Sequence, residues 1–315
     1  MFAFIIADTA QRDHAEVTGR VLVTGASGFV GSALVAALSR NGGAVRAAYR
    51  TVPQDLASSQ DCIAVGELSA STNWMPALED VEAVVHLAGP AHGRFTDAAM
   101  GEQITRATQA LAAQAEAAGV RRFVYVSSIK AVCARTLGAP VREDDEALPE
   151  DAYGRAKLAA EATVMGRPAL RPVVLRPPLV IAPNAKANVA SLMRLVASGI
   201  PLPFGGFDNR RSLLSRASLV EAISDLCLEK EGPTGVFHIA DRPAVSTSTL
   251  VEALSAGMGR RTIMFGGVGA LLPRQLTESL EVDDMRLRTN IGDAWSRDAR
   301  SAVFACGAAY KASTL

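Results

Sequence analysis

The sequence is short of the features that mark several large classes of protein. Its 315 residues hold only four cysteines and four histidines. Cys62, Cys133, Cys227 and Cys306 are widely scattered and make no CxxC or Cys/His ligand spacing, so no zinc or other metal site is expected. The same scatter fits a reduced, cytoplasmic compartment. Neither sign of charge is in excess. Lys plus Arg and Asp plus Glu number 32 each, giving a formal net charge of +0. This argues against a nucleic-acid partner and against a polybasic membrane anchor. Long hydrophobic runs are missing too, so no segment reads as a membrane span. The apolar run Phe2 to Ala7 lacks a basic leader and is short for a signal core. Residues 1–19 are therefore read as an extension outside the fold.

What is present is a chain that is 49% hydrophobic and long enough for a sizeable core. From Arg20 it alternates short β-branched runs with alanine-rich helical stretches. The runs are "RVLVTG", "AVRAAYR", "CIAVGEL", "EAVVHLAG", "RRFVYVSS", "PVVLRPP" and "GVFHIAD". A long helix over about Asp97 to Ala118 precedes the fifth. Such alternation predicts an α/β fold with a Rossmann-type, doubly wound parallel sheet, its apolar strands covered on both faces. After Pro177 the rhythm changes to segments rich in Pro, Gly and Asn, which predicts a smaller C-terminal substrate lobe. The expected division is 20–181 with 215–243 for the dinucleotide domain, and 182–214 with 244–315 for the lobe.

The strongest local signal is "VLVTGASGFVGSALV". Gly25, Gly28 and Gly31 form GxxGxxG between a strand and a helix, where glycines allow a sharp turn and close approach to a pyrophosphate. The helix N-terminus then offers free N–H groups to the phosphates. Ser27, Phe29 and Val30 lie in the same turn and are assigned to the cofactor with the glycines. After the second strand, "VRAAYRTVPQ" has no acid until Asp55 but has Arg46 and Arg50. An arginine there can accept a 2′-phosphate, so NADP is modestly favoured over NAD. Further on, "DAYGRAKLAAE" sets Tyr153 and Lys157 four apart on one helix face. By itself that pair reads first as two polar residues on a helix surface.

With "TGASGFVG", "VVHLAG", "FVYVSS", "YGRAK" and "LRPP" in this order and spacing, the chain resembles the extended short-chain dehydrogenase/reductase family over roughly Arg20 to Trp295. More narrowly, it looks like the nucleotide-sugar epimerases, dehydratases and 4-ketosugar reductases. "SSIK", "RPPLV", "GIPLPFG" and "NRRSL" resemble a bacterial subgroup described as UDP-glucose 4-epimerase-like. The resemblance implies a catalytic set of Ser128, Tyr153 and Lys157. The chemistry agrees: moving hydride at a carbinol or ketone needs a proton relay at the oxygen, and a nearby ammonium lowers a tyrosine pKa. Ser128 is preferred to Ser127 because the family's serine immediately precedes the "IK" position.

Other assignments follow from the resemblance. Tyr153 and Lys157 also touch the cofactor. Leu87, Ala88 and Gly89 of "HLAG" line its riboses, Glu67 and Leu68 of "GEL" its adenine. Asn188 and Arg211 bind the nucleotide-sugar. Ile129 and Lys130 stand where dehydratases carry an Asp-Glu pair, so elimination of water is not expected. Three departures stand out: Ile104 replaces the asparagine of the long helix, Cys133 and Ala134 replace a Tyr/Asn-Gly pair, and Pro178 and Leu179 replace an asparagine-bearing segment. The leading expectation is NADPH-dependent reduction of a UDP-4-keto-6-deoxyhexosamine for surface polysaccharide. The alternative is a UDP-hexose 4-epimerase with tightly held NAD, and a third reading is a non-catalytic dinucleotide-binding regulator. A homodimer is expected through the alanine-rich faces of Thr105–Ala118 and Ala156–Thr163.

Overall fold

A computed structural model describes residues 19–54, 56, 61–90, 96–185, 187–229, 231–267 and 271–314. The expected extension, apart from Gly19, and Asp55 lie outside the described residues. All seven apolar runs become strands of one fully parallel sheet: β1 (Arg20–Thr24), β2 (Val45–Tyr49), β3 (Asp61–Ala64), β4 (Val81–His86), β5 (Arg122–Val126), β6 (Pro172–Arg176) and β9 (Gly235–His238). Their spatial order is β3-β2-β1-β4-β5-β6-β9. The order reverses direction between β1 and β4, the place where open α/β sheets leave a crevice at their C-terminal edge.

The continuous apolar character of these strands has a plain cause. Alternate residues feed two different cores. Val21, Val23, Val85, Val124, Val173 and Leu175 face one way, against the helices Gly31–Arg40 and Arg216–Leu228. Leu22, Val84, Phe123, Tyr125 and Val174 face the other, against Ala107–Ala117 and Ala152–Met165. Part of the alanine-rich surface of this second helix pair is used inside the chain, while Ala117, Ala159 and Ala162 stay exposed. Ala107, Ala112, Ala115, Ala156 and Ala160 are all buried, and Thr105 Oγ1 donates to the carbonyl of Ala156 at 3.0 Å. These buried alanines bring helix onto sheet within one chain.

The expected long helix runs from Asp97, with a six-residue π-helical insert, Gly101–Arg106, between its two α segments. Sequence periodicity carries no mark of that insert.

Three remaining strands, β7 (Leu179–Ile181), β8 (Arg211–Ser215) and β10 (Asp241–Val245), form a separate small sheet. It packs with Ala187–Ala197, Thr247–Gly257 and Ala299–Thr314 around Ile181, Met193, Phe204, Leu213, Val251 and Val303. Arg216 ties this region to the glycine turn. Its guanidinium donates to the carbonyl of Phe29 and to Asn184 Oδ1, and lies 4.9 Å from the Phe29 ring centroid. No helix among the described residues is long and apolar enough to cross a membrane.

Candidate active site

The first part of the site is a cavity of about 780 Å³ at the C-terminal edge of β1, β2 and β4. Gly25 takes φ +69°, and a Cβ there would meet the Ala88 backbone at 3.0 Å. The chain can turn at this point only without a side chain. Among the expected cofactor residues, Gly25, Ser27, Gly28, Arg50, Glu67, Leu68, Leu87, Ala88 and Gly89 line the cavity. Phe29, Val30 and Gly31 do not. Phe29 faces Arg216, Val30 packs on the core, and Gly31 is buried at the start of the helix. No side chain caps that helix N-terminus, and of its first N–H groups that of Ser32 donates to the Gly28 carbonyl at 3.1 Å.

The two arginines after β2 separate sharply. Arg46 does not reach the cavity. Its guanidinium pairs with Asp61 and donates to the carbonyls of Ala77 and Glu79, at 3.2 and 2.8 Å, so it braces the sheet edge. Arg50 does line the cavity, but it already pairs with Glu67 at 3.1 Å, both side chains being 73% exposed. His86 of "HLAG" turns inward, between Thr24 Oγ1 at 2.7 Å and Thr108 Oγ1 at 3.0 Å. Burial and the Lys157 charge hold it neutral, its pKa near 3. Sequence reasoning passed over Trp74 and Gln103, which also line the cavity.

The second part sits at the ends of β5 and β6. Asp151 caps the helix Ala152–Met165 by accepting from Gly154 N at 2.7 Å, and it pairs with Lys130 at 2.8 Å. Gly154 permits a very close approach: a Cβ there would lie 2.2 Å from the Lys130 carbonyl oxygen. This contact sets the start of the Tyr153 helix against the segment that follows Ser128, whose hydroxyl interacts with the Tyr153 phenol. Burial and the Asp151 carboxylate push the Tyr153 pKa up to about 12, and the nearby Ser128 hydroxyl works against that rise. Ser127 points elsewhere. It is buried and donates to Glu161 Oε1.

Lys157 is buried beneath the pair. Its Nζ donates to the Val126 carbonyl at 2.9 Å, 4.7 Å from the Tyr125 ring centroid and 5.8 Å from that of Tyr153. Burial lowers its pKa to about 8, while Glu161 acts to raise it. Glu161 is in turn held by Arg176, Nη2 to Oε2 at 2.6 Å. The signals for this ion pair were an acid one helical turn past Lys157 and an arginine ending an apolar strand. Ser128, Tyr153 and Lys157 are not part of the lining of the 780 Å³ cavity. Ile104 is buried and follows Gln103 on the π insert, with its Cγ1 3.7 Å from where a Gly89 Cβ would stand.

In the small sheet, Arg211 is partly buried and donates through Nη1 to the Glu278 carbonyl at 2.8 Å. Asn188 belongs to the first turn of Ala187–Ala197; its side chain lies outside the described residues. Trp295 is fully buried and donates to the Gly292 carbonyl. Among the described residues no cluster of three or more His, Cys, Asp or Glu could hold a metal.

A Rossmann sheet with a Tyr-x-x-x-Lys helix beside a strand-end serine defines the short-chain dehydrogenase/reductase class of enzyme. The profile of the "NAD dependent epimerase/dehydratase family" matches residues 21–248, and the chain belongs to that family, within the extended branch of the class. It is 35% identical over 297 residues to UDP-glucose 4-epimerase of Vibrio cholerae, covering 86% of this chain and 89% of the relative. A quinoline-oxide ketoreductase of Stigmatella aurantiaca is 27% identical over 76% of this chain and 73% of its own length. Among solved structures, MoeE5 in complex with UDP-glucuronic acid and NAD aligns with a TM-score of 0.76 and 27% identity, covering 94% of this chain and all of the other. UDP-N-acetylglucosamine 4-epimerase from Bacillus cereus shares the fold at 20% identity, with a TM-score of 0.77 over 93% of this chain and 100% of the other.

Proposed function

We propose that the protein is a UDP-sugar 4-epimerase that keeps NAD through its catalytic cycle. The observation that carries this reading is the buried Lys157 ammonium, 5.8 Å from the Tyr153 ring centroid and anchored on the Val126 carbonyl at the end of the strand that leads to Ser128, with no acid pair after Ser128. Hydride chemistry at C4 with inversion is what this set can do. The 35% identity to a UDP-glucose 4-epimerase supports it. The reductase expected first has weaker support, a ketoreductase relative at 27% identity.

The residues fit a bound dinucleotide. The uncapped helix start after Gly28 suits the pyrophosphate, and the 780 Å³ cavity suits the adenosine, with Glu67 and Leu68 at its far end. Lys157, Leu87 to Gly89 and the turn residues Ser27 to Gly31 complete the proposed cofactor contacts. NAD is favoured over NADP. Arg46 is committed to the sheet edge, and Arg50 shares the mouth with a carboxylate that repels a 2′-phosphate. NAD-bound MoeE5 agrees with this choice.

The chemistry that NAD would supply when bound is a hydride acceptor and donor at C4. The chain supplies the rest. Tyr153 accepts the proton of the C4 hydroxyl and gives it back. Ser128 is the group proposed to hold the same oxygen by a hydrogen bond once the sugar is bound. Lys157 places a positive charge under the phenol, which opposes the upward shift that burial imposes. Arg211 and Asn188 are the proposed contacts to the UDP part. A homodimer remains part of this reading, to be tested by light scattering, but it needs contacts other than the buried alanines. The test of function is direct. Purified protein carrying its own NAD is to interconvert UDP-glucose and UDP-galactose with no cofactor added. Steady oxidation of added NADPH by a 4-keto nucleotide-sugar, without interconversion, would establish the reductase instead. Tyr153→Phe with its biological effect intact would favour the non-catalytic regulator.

A further inference from the structure

The buried charges behind the catalytic pair call for a reason. Lys157, Glu161 and Arg176 are all at most 6% exposed. Arg176 holds Glu161 by Nε to both carboxylate oxygens at 3.1 Å and by Nη2 at 2.6 Å. Ser127 donates to the same carboxylate. Buried ion pairs are poor stabilisers, because desolvation offsets their attraction, and apolar replacements of similar shape are often neutral or better. Packing alone does not explain a carboxylate here.

Its place does. Glu161 follows Lys157 by one turn of the helix Ala152–Met165, so the two share a face. They meet the end of β5 at consecutive residues, Lys157 at the Val126 carbonyl and Glu161 at the Ser127 hydroxyl. We propose that Glu161, aimed by the Arg176 fork and by Ser127, is the positioning residue that keeps the buried Lys157 side chain protonated, and that Arg176 limits how strongly it does so. Glu161 touches neither substrate nor cofactor in this account. It acts through Lys157 on Tyr153. The proposal rests on the proton-relay reading of Tyr153 and Lys157 only for its kinetic consequence.

The other groups around Lys157 do not replace Glu161. Tyr153 on its own helix and Tyr125 on β5 are neutral phenols whose pKa values are raised by burial. His86 on β4 is held neutral. On β9, His238 is paired in register with Arg176 and is likewise held neutral, near 4, mainly by burial. Glu161 is the carboxylate that acts on Lys157, and it raises the lysine pKa against the downward pull of burial. Arg176, its clamp, is the nearby permanent cation.

Two variants therefore shift Lys157 in opposite directions. Glu161→Gln removes the carboxylate that acts to raise the Lys157 pKa and lowers the Lys157 midpoint. Arg176→Met frees Glu161 to act on Lys157 alone and raises it. The chain has five lysines, so the Lys157 side-chain carbon signal can be followed by NMR against pH and assigned with Lys157→Met. The expected result is a downward shift of about one pH unit or more in E161Q and an upward shift of similar size in R176M. The double variant should return to within about half a unit of the parent. Where activity is present, the basic limb of kcat/KM should follow the same two directions. Where R176M does not fold, Arg176→Lys keeps the charge but loses the fork, and a smaller upward shift is expected. Unmoved Lys157 midpoints, or shifts of one sign in both single variants, overturn the proposal. The NMR readout needs no turnover, so a protein that fails to epimerise can still pass or fail this test.

Discussion

At the dinucleotide end of the crevice the charges stand in solvent. Arg50 and Glu67 pair with most of each side chain exposed. At the catalytic end they are inside: Lys157, Glu161 and Arg176 are buried together. Exposed pairs are screened and contribute little to stability, whereas buried ones shift pKa values strongly. The first end depends on backbone shape, the second on the balance of a few interior charges. Each end also turns on one glycine. Gly25 frees the cofactor turn, and Gly154 lets Tyr153 reach Ser128.

The largest effect that would break this contrast is at the catalytic end. Tyr153→Phe should lower kcat by about a thousandfold, the scale of general acid–base catalysis. NAD content and melting temperature should stay near the parent values, which absorbance and thermal scans will show. Equal loss of NAD would merge the two ends. The glycines divide next. Gly154→Val puts side-chain atoms against the Lys130 carbonyl and should cost about 1–3 kcal/mol of stability, with kcat falling more than NAD affinity. Gly25→Ala should reverse that order, with NAD affinity falling first and a cost of about 1–2 kcal/mol for the left-handed backbone.

A subtler effect appears with pH. Lys157 has a folded pKa near 8 against an ordinary 10.5. Between those values the unfolded chain binds a proton that the folded chain lacks, so this group makes the cofactor-free protein more stable as pH rises from 8 towards 10. The difference in melting temperature between the parent and Lys157→Met should therefore change in favour of the parent across that window. The opposite trend contradicts the buried, desolvated lysine. The smallest effects sharpen the dinucleotide end. Arg46→Ala should cost stability without altering the choice of NAD over NADP. Arg50→Ala should leave stability within about 0.5 kcal/mol and change relative dinucleotide affinity only modestly, as read by fluorescence titration.

Much of this was legible in the sequence. All seven sheet strands stood out as β-branched apolar runs, because strands buried on both faces have no polar alternation to blur them. The glycine turn was readable because φ and close approach restrict the residue type at Gly25. Tyr153, Lys157 and Ser128 were singled out by the order of the motifs along the chain. What stayed hidden depended on tertiary partners. Arg46 and Arg50 look alike in sequence, yet one braces Asp61 and the Glu79 carbonyl while the other stands at the cavity mouth. The alanine stretches look uniform in sequence, yet Ala112, Ala115 and Ala160 pack inside the chain while Ala117, Ala159 and Ala162 stay exposed. The π insert at Gly101–Arg106 has no compositional sign. Glu161 and Arg176 are fifteen residues apart and meet only because a helix folds back on the sheet.

The central claim is that the Tyr153 relay serves a closed redox cycle at C4 of a UDP-sugar. The most direct test mixes freshly purified protein with UDP-glucose, adds no cofactor, and follows the anomeric protons by NMR. The account predicts UDP-galactose accumulating to a steady ratio, with NAD recovered from the protein afterwards and no product from Tyr153→Phe. A protein that carries NAD yet leaves UDP-glucose, UDP-N-acetylglucosamine and UDP-glucuronic acid unchanged would contradict it.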